Sequence, residues 1–89
     1  MSPNDPLRNE MVMARGHLAE AEKRFAELDI LVDGEITMIR RILDPFEDNA
    51  MSIDVDLAKT SMERLYTYIH EMRRLYETIN KIKRSMSLS

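Results

Sequence analysis

An unbroken heptad stripe runs through the first half of the chain. Leu7, Met11, Ala14, Leu18, Ala21, Phe25, Leu28, Val32, Glu35, Ile39, Ile42 and Phe46 follow one another at alternating steps of four and three, and only Glu35 departs from apolar character. Such spacing keeps one side of an α-helix turned toward a neighbouring helix along its whole length, which is the geometry of knobs-into-holes packing. A β-strand alternates its faces with a period of two and cannot present this pattern. The stripe therefore predicts one long helix with a partner helix beside it.

A second stripe supplies that partner. Val55, Ala58, Met62, Leu65, Ile69, Met72, Tyr76, Ile79, Lys83 and Met86 repeat the same rhythm, with Lys83 as the interruption. Between the stripes lies Asp44-Pro45-Phe46-Glu47-Asp48-Asn49. Pro45 removes a backbone donor and disfavours a helical conformation at Asp44, so the first helix is expected to stop near Leu43. Asp44, Pro45 and Glu47 also resemble a fresh cap, first helical residue and capping acid, which allows one short helical turn there. A kinked continuation is the alternative.

Asp5 and Pro6 form a helix start, as a cap followed by a residue whose missing donor costs nothing in the first turn. Ser52, Asp54 and Asp56 all offer caps for the second helix. Residues 85–89 are expected to fray. The fold expected is all-α: a single domain over residues 1–89 with a helix at about 6–43, a break at about 44–53 and a helix at about 54–85. A break this short between strong stripes favours a long antiparallel hairpin. Gly16 and Gly34 each weaken the first helix by about 1 kcal/mol relative to alanine, and Gly34 is a candidate for a bend or a close helix approach.

The apolar positions exceed what one helix pair needs. Leu31, Ile36, Met38 and Leu43 widen the first stripe, and Tyr66, Tyr68, Leu75 and Ile82 widen the second. A face this wide is what a bundle of three or four helices buries, and two hairpins paired as a homodimer form the simplest four-helix bundle. Eight methionines in 89 residues suit an adaptable packing surface. The residues expected to contact a partner are Leu31, Ile36, Met38, Leu43, Tyr66, Leu75 and Ile82, either between subunits or toward a further protein. Glu35 and Lys83 read either as polar residues that reach solvent or a counter-charge, or as register markers that disfavour other pairings.

Charge narrows the function classes. Residues 1–57 carry thirteen acidic and six basic side chains, a net of −7, whereas residues 58–89 carry three acidic and seven basic ones, a net of +4. The opposite signs can attract across a hairpin or pair subunits in opposite orientation. An overall charge of −3 disfavours general nucleic-acid binding. Arg73, Arg74, Lys81, Lys83 and Arg84 nevertheless support an alternative reading, a small regulatory nucleic-acid-binding protein that uses the basic C-terminal helix.

Chemistry finds little support in the sequence. Cysteine is absent, which excludes disulfides, thiol redox chemistry and thiolate metal sites. His17 and Glu20 stand one turn apart, but two ligands are too few for a dedicated zinc site. His70 has no carboxylate positioned along its own face to orient it. Arg40-Arg41 and Arg73-Arg74 can be read as a phosphate clamp or as solvated charges, and the second reading is simpler. The expected function is a non-catalytic protein–protein interaction or adaptor module acting through helical self-association, without cofactor or metal. No segment has the roughly 20 apolar residues a membrane span needs, and no secretory signal opens the chain. The cytoplasm is the expected compartment.

Overall fold

In a computed structural model, residues 6–44 and 49–87 are described, with the side chains of residues 6–8 excepted. Helix α1 spans Pro6–Ile42 and helix α2 spans Val55–Ser87, with a 3-10 turn at Ala50–Ser52 between them. The expected contributions of Asp5, Pro45, Phe46 and Glu47, and of the Leu7 side chain, lie outside the described residues, as do residues 88 and 89. The helix continues to Ser87, past the point where fraying was expected.

Local hydrogen bonds account for the ends of the elements. Leu43 N–H donates to the Ile39 carbonyl at 3.0 Å, and Asp44 N–H donates to the Arg41 carbonyl at 3.3 Å, which tightens the last turn of α1. Arg40 and Arg41 stand in that turn, where the carbonyl-rich end favours cations. The Asn49 side chain accepts from Met51 N–H at 3.0 Å and starts the 3-10 turn. Of the three candidate caps for α2, the structure uses Asp54, whose carboxylate accepts from Leu57 N–H at 2.9 Å.

Three ion pairs between the helices report their register. Glu22 meets Lys83, Arg24 meets Glu71, and Glu35 meets Arg64. As the α1 partner advances along the chain the α2 partner recedes, so the helices are antiparallel. The molecule is a rod of 72 × 18 × 17 Å. In this register Leu28 stands level with Met72, Ala21 with Ile79, and Ile39 with Ser61.

The α1 stripe packs as expected from Met11 to Ile42: each of its residues is buried or half-buried. The α2 stripe does not. Ala58, Leu65, Met72, Ile79 and Met86 face α1, but Ser61, Leu75 and Ile82 take the places of Met62, Tyr76 and Lys83 between them, and Tyr68 joins Ile69, which stays half-buried at the seam's edge. Ser61 is wholly buried, whereas Met62 is 51% exposed and Tyr76 60% exposed. At 100° per residue, moving every second seam position back by one turns α2 by about 50° about its axis. The physical reason is charge and size: this α2 seam contains no group charged at neutral pH, whereas the expected one would press the Lys83 ammonium into an apolar layer. Ser61 also leaves room for Ile39 at its level. Lys83 therefore does not interrupt the seam.

Only Ala21, Leu28 and Ile79 are buried apolar side chains among the described residues, with Leu28 at 0% exposure. Two helices cover a seam from one direction only, so most seam residues stay half-exposed. Ser61 carries a buried hydroxyl with no hydrogen-bond partner. Ser61→Ala removes that unpaired group and raises helix propensity, and should stabilise the protein by about 1–2 kcal/mol. Thermal melting followed by circular dichroism checks this; a lower midpoint would mean the hydroxyl is satisfied. Gly34 has open space where a Cβ would stand, so it marks no close approach within the hairpin.

Candidate protein-interaction surface

Helix geometry divides the surface outside the seam into two broad faces. Positions one residue after α1's Leu28 and Glu35, and one after α2's Ser61, Tyr68 and Leu75, fall on one side. This side carries Ile36, Leu43, Val55, Met62, Ile69 and Tyr76, with Tyr66 beside them; it is the tyrosine face. The opposite side carries the Arg24–Glu71 pair together with Leu31, Met38 and Leu57; it is the ion-pair face.

On the ion-pair face, Arg24 forms a two-pronged contact with Glu71: Nε donates to Oε2 at 2.7 Å and Nη2 to Oε1 at 3.2 Å. Those hydrogen bonds are the main cause holding the Glu71 carboxyl below its ordinary pKa and the Arg24 guanidinium above its own. Glu35 stands at the seam with its side chain 15% exposed, its Oε1 3.6 Å from Arg64 Nη1 and its Oε2 buried without a hydrogen bond. An opposite charge therefore meets the one polar member of the α1 stripe. A groove of about 340 Å³ near the open end is lined by Glu10, Met13, Ala14, His17, Lys81 and Ile82.

The tyrosine face is more apolar. A shallow groove of about 500 Å³ is lined by Phe25, Val32, Ile69, Met72, Arg73, Tyr76 and Glu77. A second, of about 240 Å³, is lined by Met62, Leu65, Tyr66, Ile69, His70 and Arg73. The two share Ile69 and Arg73. Tyr66 and His70, one turn apart, pack their rings with centroids 4.2 Å apart.

The seven residues expected at a partner interface separate into three groups. Ile36, Leu43 and Tyr66 come together on the tyrosine face. Leu31 and Met38 lie on the opposite face. Leu75 and Ile82 are half-buried in the hairpin's own seam. In their place the tyrosine face gains Val55, Met62, Ile69 and Tyr76, which sequence reasoning had assigned to the seam. The charge at Lys83 was the signal that this stripe faces outward.

The basic residues do not converge. Lys83 Nζ lies 3.8 Å from Glu22 Oε1, and Arg84 Nε donates to the Asn80 carbonyl at 3.4 Å. In the observed register Arg40-Arg41 and Arg73-Arg74 are separated along the rod by about 20 Å, too far to grip one phosphate together. Among the described residues, no group of three or more His, Cys, Asp or Glu is arranged to hold a metal ion, and no helix is long and apolar enough to cross a membrane. No family model, curated protein or solved structure matches the chain.

Proposed function

We propose that this chain is a non-catalytic interaction module that self-associates through the tyrosine face, two hairpins forming a four-helix bundle. The observation that carries the reading is the outward stripe of α2, where Val55, Met62, Tyr66 and Tyr76 are all more than half exposed while the hairpin's seam is already filled. Exposed large apolar side chains aligned in one row, here with Lys59, Arg73 and Lys83 among them, favour an interaction surface. A second hairpin laid on it would cover the half-exposed seam residues from the side that a helix pair leaves open. Adaptor activity toward a further protein is compatible with the same surface, and the cytoplasm is the compartment this reading assumes.

Sedimentation equilibrium at micromolar to hundred-micromolar concentration tests the proposal. The expected result is a mass approaching twice the 10.4 kDa of the chain. A monomer mass throughout this range would overturn it, and nucleic-acid binding by such a monomer would favour the alternative reading of the basic helix.

A further inference from the structure

We infer that the second copy packs with its turn at the same end as the first, so that α1 of each hairpin lies on α2 of the other. This inference rests on the self-association proposed above and adds its direction.

The first ground is a gradient along the tyrosine face. Toward the turn it carries Ile36, Leu43, Val55, Met62 and Tyr66. Toward the open end it carries Arg15, Glu22, Asn80 and Lys83 beside an exposed Val12, with Tyr76 between the two regions; Arg40 and Lys59 flank the apolar row near the turn. Two hairpins stacked face to face on a twofold axis have two arrangements. With the axis along the rod, the turns coincide and α1 lies over the partner's α2. With the axis across it, the turns lie at opposite ends and each helix covers its own copy. In the observed register the first arrangement brings Ile36 to the level of Met62 and Tyr66, and Leu43 to the level of Val55. The second, with the two rods fully overlapped, sets Ile36 over Glu22, Leu43 over Arg15 and Met62 over Asn80. Apolar surface gains from burial only against apolar surface, so the first arrangement is favoured.

Charge is the second ground. The outward stripe of α2 includes Lys59, Arg73 and Lys83, with Glu77 at the groove's edge, while the middle of the matching α1 surface carries Asp29 and Asp33. With the turns together, Arg73 falls within about one helical turn of Asp29. With the turns apart, Lys59 meets Lys83 and Asp29 meets Asp29, while the two Arg73 residues stand about 6 Å apart along the rod. The favoured arrangement does bring Lys59 near Arg40 and Lys83 near Arg15, at the two ends of the face where side chains can splay into solvent. Like charges at the centre of an interface are the costlier case.

Met51, 88% exposed in the turn, offers a direct measurement, because the chain has no cysteine of its own. Met51→Cys carrying a nitroxide label would be measured by pulsed dipolar spectroscopy at a concentration where sedimentation gives the dimer mass. Turns at the same end predict an inter-label distance of roughly 15–35 Å, set by neighbouring helices about 10 Å apart plus the label arms. A distance on the order of 60 Å, two half-rods of helix end to end, would overturn the orientation and leave self-association standing. A monomer mass with no inter-label coupling would remove both.

Discussion

Leu28→Ala is expected to destabilise the protein by about 3 kcal/mol, lowering the thermal midpoint by on the order of 15 °C. Leu28 is the one large apolar side chain with no exposed surface among the described residues. It stands level with Met72 near mid-rod, so truncation leaves a void with packed layers above and below. A methionine side chain can swing into part of that void, which keeps the expected loss below the upper end of the 2–5 kcal/mol range for such changes. Ile30→Ala provides the contrast. Ile30 is 73% exposed and points away from both the seam and the tyrosine face, so its truncation should change stability by less than about 0.5 kcal/mol. Paired melting curves at one protein concentration make the comparison. Equal losses for the two variants would mean that the seam is not where the structure puts it.

The double change Met62→Glu with Tyr66→Glu is expected to weaken self-association at least 100-fold, about 2.7 kcal/mol, while leaving the hairpin folded. Both side chains stand mainly in solvent within one hairpin, and glutamate is a good helix former, so the isolated fold loses little. In the proposed dimer each carboxylate would enter an apolar layer beside Ile36 of the partner, where an unpaired charge is strongly disfavoured. Sedimentation across concentration gives the association constant, and circular dichroism confirms helix content. Retained dimerisation in a folded variant would show that the tyrosine face is not the contact. The same double change made at Leu31 and Met38, on the other side of the rod, asks whether that face carries the contact instead.

The hairpin was legible because its information is one-dimensional. The α1 stripe from Met11 to Ile42 repeats without a skip, and the acid and proline cluster after Leu43 marks where it ends. The rotation of α2 was harder to read because two stripes compete on that helix and share every seventh residue. Ala58, Leu65, Met72, Ile79 and Met86 belong to both. Choosing the intervening positions by bulk favours Met62 over Ser61, but a small residue opposite Ile39 packs well in an antiparallel seam, and only the inner stripe is free of charge. That choice decides which residues remain for a partner, which is why Leu75 and Ile82 moved inward while Met62 and Tyr76 moved out. The ion pairs were likewise beyond periodicity alone, since Arg24 and Glu71 meet only once the register is known.

The slender shape has a consequence for how the protein comes apart. Each cross-section of the rod touches only the sections immediately above and below it, so structural protection is local, as in a zip fastener. Amide hydrogens near the two chain ends should exchange first, those beside the closing loop next, and those around Leu28 and Met72 last. A second rod alongside would flatten that profile, tying the outer turns of each helix to the firm middle and turning graded unravelling into a single concerted event.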